Sequence, residues 1–237
     1  MHRKTFIWFD LGYTLIRLDR EKNYRRLLET FGVRVTEEEL TDAFHLTDKI
    51  FMRSYPGTLG KCPRCYMPWY LGMLNHRLGI SLDLIRIMEL WLDPSYNPGG
   101  RWICYDETIT VLKELSDRGY RLGIISNWNE TARDIIQRLG LTAFMDTIII
   151  SSERGCEKPD KRIFEIALSQ ARVRPEESLY IGDNYYDDVI GCRRVGMDIL
   201  LINRYGRKGI EEIDDAEIIT SLREIFPRLV TEGGKDP

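Results

Sequence analysis

An α/β fold with a doubly wound, mainly parallel, Rossmann-like sheet is predicted for this 237-residue chain by three observations. Five short apolar runs, rich in β-branched and aromatic residues, each end on a polar residue. Helical patterns separate the last four runs, the alternation that right-handed crossovers between parallel strands require. The runs are apolar throughout, as expected of strands covered on both faces.

In chain order the runs are "FIWFD" at 6–10, "LGIIS" at 122–126, "TIIIS" at 147–151, "LYIGD" at 179–183 and "ILLIN" at 199–203. Between the later four, "ETARDIIQRLG", "DKRIFEIALSQA" and "DDVIGCRRVG" read as helices, with Gly140 and Gly196 as stop signals. In "YDETITVLKELSDRGY", Asp106 is placed to cap a helix whose Ile109, Leu112 and Leu115 face the sheet. The gap between the first two runs is far longer than a crossover needs. Tyr24, Leu27, Leu28 and Phe31 repeat there at helical spacing, and Thr36 with Glu39 forms a capping box that opens a helix through Leu40, Phe44 and Phe51. A third helix is expected around Leu71 to Leu78, and a fourth from Leu82 to Leu92, stopped by the linker-like "DPSYNPGG". The expected organisation is a core of residues 1–16 and 101–237 with an all-helical cap domain inserted at 17–100. The tail "TEGGKDP" is expected to be disordered.

Charged residues make up 30% of the chain, yet the formal net charge is only -3, so neither a broad basic face for nucleic acid nor a polybasic run for a membrane is offered. The apolar stretch before Asp10 is too short for a signal-peptide core and no run reaches bilayer length, which points to the cytosol. Five cysteines without repeating spacing do not form a disulfide framework, and reduced thiols are expected.

In open parallel sheets the functional crevice lies outside the carboxyl ends of the strands. Asp10, Ser126 and Asp183 all stand at such ends, and "GDNYYDD" adds Asp187 and Asp188. Carboxylates brought together repel one another unless a cation neutralises them or one is protonated. An all-oxygen cluster suits a hard divalent ion, and Mg²⁺ is the usual choice when a phosphate completes its shell.

Four motifs in order, "FIWFDLGYTL", "LGIISN", the lysine of "CEKPDKRIFEIAL" and "LYIGDNYYDDVIGCRRVGM", resemble the haloacid dehalogenase superfamily, in particular its members with a helical cap inserted after the first motif. The resemblance implies a hydrolase, most readily a phosphatase of a small phosphorylated substrate. Asp10 would be the nucleophile, forming an aspartyl-phosphate, and would share a Mg²⁺ ion with Asp183, Asp188 and the Gly12 carbonyl. Ser126, helped by Asn127 and by N–H groups at the start of the following helix, would bind the phosphoryl oxygens, as would the Tyr13 amide. Lys158 would pair with Asp10 and the transferred phosphoryl. Asp188 could alternatively orient Lys158, and Asp187 reads as an acid favoured by a helix N-terminus.

The resembling phosphatases commonly carry a second aspartate two residues after the nucleophile, followed by glycine; this chain has Gly12 and then Tyr13. The missing acid removes a proton donor of a kind that contributes about 10²- to 10⁴-fold. Three readings stay open. The enzyme is a phosphatase of a substrate with a good leaving group or with another proton source; it is a phosphate-binding regulatory relative; or it is a dehalogenase-like hydrolase, against which the acids of "GDNYYDD" count. Oligomeric state is left at monomer or homodimer.

In the insert, Phe44, Phe51, Trp69, Tyr70 and Trp91 are expected in a helical core, and Arg17 is placed to meet an anionic substrate. "KCPRC" has half of a zinc-knuckle spacing, with only His45, His76 and Cys104 as further donors, and a thioredoxin-type redox pair would stand at a helix start after a sheet strand rather than in the insert, so Cys62 and Cys65 are expected as small buried residues flanking a turn.

Overall fold

The structure, a computed structural model, describes residues 3–60, 62–94 and 101–229. Most of the predicted linker and the whole C-terminal tail lie outside the described residues. The chain divides into two compact units, one of Met1–Arg17, Cys104–Arg207 and Glu211–Pro237, the other of Leu18–Ile103 and Lys208–Ile210. Assignment of Lys208–Ile210 to the second unit has no counterpart in the strand and helix pattern.

The first unit is an α/β layer structure. Strands β1 (Phe6–Phe9), β4 (Arg121–Ser126), β5 (Thr147–Ile150), β6 (Ser178–Gly182), β7 (Asp198–Ile202) and β8 (Ile218–Ile219) form one sheet in the order β5-β4-β1-β6-β7-β8. Every neighbouring pair is parallel. Five of the strands fall on the predicted runs; β8, two residues long, is too short to leave a pattern. Phe6, Ile7, Trp8 and Phe9 of the central β1 are fully buried, and an apolar side chain of that size contributes roughly 1.5–3 kcal/mol when removed from water. On one side of the sheet Phe6, Trp8, Ile125, Ile149 and Tyr180 pack with Ile163, Phe164 and Ala167.

The helices of this unit are α5 (Thr108–Asp117), α6 (Ala132–Arg138), α7 (Ser151–Arg154), α8 (Lys161–Ala171), α9 (Ile190–Val195) and α10 (Phe226–Leu229). Gly140 and Gly196, at φ 72° and 74°, stand just beyond α6 and α9 as their stop signals predict. Two expectations for α5 fail. Its N-cap is Glu107 rather than Asp106, and the buried face is Thr108, Val111, Leu112 and Leu115, leaving Ile109 40% exposed. Leu112 and Leu115 are buried as expected; Thr108 and Val111, at i−4 and i−1 from Leu112, complete the face, and Ile109 lies at its edge.

The second unit contains α1 (Glu21–Thr30), α2 (Glu37–Ser54), α3 (Pro63–Arg77) and α4 (Leu84–Leu92). The capping box before α2 forms as read: the Thr36 hydroxyl accepts from the Glu39 N–H at 3.2 Å, and Glu39 Oε2 accepts from the Thr36 N–H at 2.7 Å. Helix α3 begins eight residues before the predicted Leu71, because Pro63 at its first position is a starting residue while Pro68 inside it reads as a breaker. Phe44, Phe51, Tyr70 and Trp91 join the helical core, but Trp69 is 51% exposed. At the two ends of the expected insert, β2 (Ile16–Asp19) and β3 (Arg101–Cys104) form a two-stranded sheet that the apolar runs do not predict. Arg17 is half-buried in β2.

Cys62 and Cys65 are exposed, not buried: they are the N-cap and the third residue of α3. His45, considered as a metal donor, gives Nε2–H to the Lys208 carbonyl at 2.9 Å. Among the described residues, no helix is long and apolar enough to cross a membrane.

Candidate active site

Strand register assembles the site. Phe9 is aligned with Ile124 on one neighbour and with Ile181 on the other, so Asp10, Ser126 and Asp183 emerge at nearly one level across three adjacent strands. The Asp10 N–H extends the ladder by donating to the Ile181 carbonyl at 2.9 Å. The chain winds outward through β4 and β5 on one side of β1 and through β6, β7 and β8 on the other, which makes this edge the topological switch point.

Asp10 Oδ1 accepts two hydrogen bonds, from Ser126 Oγ at 2.9 Å and from Lys158 Nζ at 2.8 Å. The same ammonium donates to Asp188 Oδ1 at 2.6 Å and to the Tyr180 hydroxyl at 3.1 Å, so all three of its protons are directed. Tyr180 donates onward to the Ile125 carbonyl at 2.8 Å. Asp188 is fully buried, and its Oδ2 accepts from the Asn184 N–H at 3.0 Å. Ligand oxygens of Asp10, Asp183 and Asp188 lie within 4.8 Å of one another.

The loop that carries Lys158 is held by Asn127. Its Nδ2 donates to the Lys158 carbonyl at 2.9 Å, and its Oδ1 accepts from the Lys158 N–H at 2.7 Å. Both ends of the amide are therefore engaged with the Lys158 backbone, leaving one Nδ2 proton beyond these two bonds. Helix α6 starts only at Ala132, and of the N–H groups between, that of Trp128 donates to Ser151 Oγ at 3.1 Å.

The turn after the nucleophile differs from expectation as well. Gly12 is buried and bridges to Ile16, but the left-handed residue is Tyr13, at φ 55°. Its N–H donates to the Ile16 carbonyl at 2.6 Å, so that amide is turned inward rather than toward an anion. For an L-residue this conformation costs on the order of 1–2 kcal/mol, at the position where the resembling family commonly has glycine.

Burial pushes the Asp10 carboxyl up, with Lys158 opposing and Asp188 adding to the rise. Burial acts on Lys158 in the opposite sense, but Asp10 and Asp188 more than offset it and hold the ammonium above its ordinary value. Asp187, which accepts from Asn184 Nδ2 at 2.9 Å, is pushed up to about 7 by burial and by the neighbouring Asp188, Asp10 and Asp183, against Lys158. It stands in the first turn of the π-helical segment Tyr185–Val189, which runs directly into α9, so it is the helix-start acid the sequence predicts. Tyr180 and Gly182 escaped the sequence reading. Tyr180 looks like any strand aromatic, and a Cβ at Gly182 would collide with the Asp188 carboxylate, a need visible only in space.

The family model for haloacid dehalogenase-like hydrolases matches residues 93–202. The human haloacid dehalogenase-like hydrolase domain-containing protein 3 is 33% identical over 240 residues, covering 97% of this chain and 95% of that one. The chain belongs to the haloacid dehalogenase-like hydrolases. The glyceraldehyde 3-phosphate phosphatase of Pyrococcus furiosus is 30% identical over 168 residues, 65% of this chain and 70% of that one. The same fold is seen in YfnB of Bacillus subtilis, crystallised with magnesium, with a TM-score of 0.67 and 21% identity over 96% of this chain and 99% of that one. Within this hydrolase family, the strand-end cluster around Asp10 is the candidate active site.

Proposed function

We propose that the protein is a Mg²⁺-dependent phosphatase of a small phosphorylated metabolite, working through an aspartyl-phosphate on Asp10. The observation that carries the reading is the convergence of the Ser126 hydroxyl and the Lys158 ammonium on Asp10 Oδ1, beside the carboxylates of Asp183 and Asp188. The phosphatase name of the Pyrococcus relative supports the substrate class.

The donor set fits Mg²⁺: it is all oxygen, and its carboxylates outnumber the facing ammonium. Asp10, Asp183 and the Gly12 carbonyl would hold the ion. Asp188, whose two oxygens meet Lys158, Tyr180 and the Asn184 N–H, would chiefly orient Lys158. Bound there, the metal supplies charge neutralisation for the acids and for a phosphate.

Asp10 would attack phosphorus, the bond to the leaving oxygen would break, and water would then cleave the Asp10–phosphorus bond to release inorganic phosphate. Ser126 would turn its hydroxyl to a phosphoryl oxygen. Lys158 would offset the negative charge that builds on the equatorial oxygens, with Asn127 and Tyr180 keeping it in place. With glycine at position 12, the leaving group departs without an aspartic acid there, which favours acyl, aryl or anomeric phosphates or a proton from another source. The enzyme would act in the cytosol as a monomer or homodimer.

A panel of phosphorylated metabolites assayed with Mg²⁺ tests this. Phosphate release that a chelator stops and Mg²⁺ restores is expected, with rates falling steeply as leaving-group pKa rises. Chelator-resistant halide release from 2-haloacids would replace the phosphatase reading, and phosphate binding without turnover would replace the enzymatic one.

A further inference from the structure

The exposed pair Cys62 and Cys65 is placed as a dithiol. Cys62 is the N-cap of α3, Pro63 occupies the first helical position, and Cys65 follows one turn on. The Cys65 N–H donates to the Cys62 carbonyl at 3.0 Å. A turn closed by this i to i+3 bond holds its end Cα atoms within about 7 Å, which overlaps the window of roughly 4.4–6.8 Å that a disulfide spans. Two solvent-exposed sulfurs in such a turn can join with little backbone movement.

Thiol–disulfide exchange needs thiols that a small disulfide can reach, and both sulfurs belong to exposed residues. Helix α3 is 15 residues long, its first turn carries no acidic residue, and Arg64 lies between the two cysteines. A structural zinc site needs two more ligands. Among the described residues, the single group of three or more close metal-ligating side chains is Asp10, Asp183 and Asp188, which contains neither cysteine.

We infer that Cys62 and Cys65 form a reversible redox couple on the helical unit, exchanging with small-molecule disulfides of the glutathione type. The Cys62 thiolate attacks one sulfur of the oxidised molecule, whose S–S bond breaks and releases one thiolate, which takes up a proton. The Cys65 thiolate then attacks the Cys62 sulfur of the mixed disulfide, forms the Cys62–Cys65 bond and expels the second small thiolate. Two electrons pass from the cysteine pair to the disulfide, which leaves as two thiols. The product closes a loop over the first turn of α3.

The test is made on the full-length protein in buffers of reduced and oxidised glutathione, with thiol titration, intact mass and peptide mapping. Wild type is expected to lose two of its five thiols, to carry no retained glutathione and to yield a linked Cys62–Cys65 peptide, all reversed by reduced glutathione. Cys65→Ser is expected to trap a glutathione adduct on Cys62, and neither Cys65→Ser nor Cys62→Ser to yield a linked peptide. Retention of all five thiols up to fully oxidised glutathione, loss of thiols spread over Cys104, Cys156 and Cys192, or stoichiometric zinc that blocks both cysteines would each overturn the inference. None of these readouts depends on phosphatase activity.

Discussion

Two clusters of buried charge, one in each unit, differ in their balance. In the helical unit Arg20, at the start of α1, pairs with Asp48 of α2, and Tyr70 of α3 bonds to both, accepting from Arg20 at 3.1 Å and donating to Asp48 at 2.6 Å. The Arg20 guanidinium also lies 4.2 Å from the centre of the Phe44 ring. One cation faces one anion, and the pair ties three helices together. At the strand ends Lys158 faces Asp10 and Asp188, with Asp183 and the half-buried Asp187 close by. A balanced pair is complete in itself and sets packing. An excess of carboxylates is relieved by a further cation or by protonation; the proposed Mg²⁺ would supply the first and bring a phosphate with it.

The comparison breaks most visibly at Asp10. Asp10→Asn is expected to lower turnover by on the order of 10³-fold or more while the fold persists, measured by phosphate release and circular dichroism; an unchanged rate would remove Asp10 from the mechanism. Next, Lys158→Met should leave the acids without their ammonium and reduce kcat by roughly 10²- to 10³-fold. KM against kcat in steady-state assays separates this loss from one of substrate binding.

Metal stabilisation sharpens the contrast. Mg²⁺ at 100 times its Kd should add about 2.7 kcal/mol to wild type, read as a rise in Tm. Asp183→Asn should lose most of that rise, while a change at Asp48 should keep it. An equal rise in every variant would mean that the ion binds elsewhere.

In the balanced pair, Arg20→Met should destabilise by about 3–5 kcal/mol because it strands a buried carboxylate. Adding Asp48→Leu should recover much of that, as read from urea unfolding. A double variant no more stable than the single one would deny that the two act as a unit.

The smallest effect is expected at Glu107, which binds Arg204 at 2.7 Å and also accepts from the Ser221 hydroxyl and the Leu222 N–H. Burial pushes its carboxyl up, but these donors more than offset burial and leave it below the usual glutamate value. A depressed folded-state pKa contributes stability that is present above the unfolded value of about 4.3 and is lost as pH falls through the folded one. The Tm gap between wild type and Glu107→Gln should therefore close on acidification; a gap that widens would reverse the sign.

Local pattern determined a large part of this protein. The runs ending at Asp10, Ser126 and Asp183 became adjacent strands because apolar β-branched segments with polar ends have few other places to go in a parallel sheet. The Thr36–Glu39 box marked α2 because capping is a contact between near neighbours. The start of α3 lies upstream of its local pattern because Pro68 breaks an isolated helix more readily than one packed against neighbours, and in α5 packing, not periodicity, chose Thr108 and Val111 over Ile109 for the buried face.

Tertiary structure alone decided how the site residues are used. Asn127 is committed to the Lys158 backbone, the Tyr13 amide to Ile16, and Asp188 to Lys158 and Tyr180. Gly182 is required by a carboxylate that folds back over it. Sequence spacing states which groups reach the strand ends. Which donor meets which acceptor depends on register and loop path, set by residues more than a hundred positions apart, as between Asp10 and Ser126.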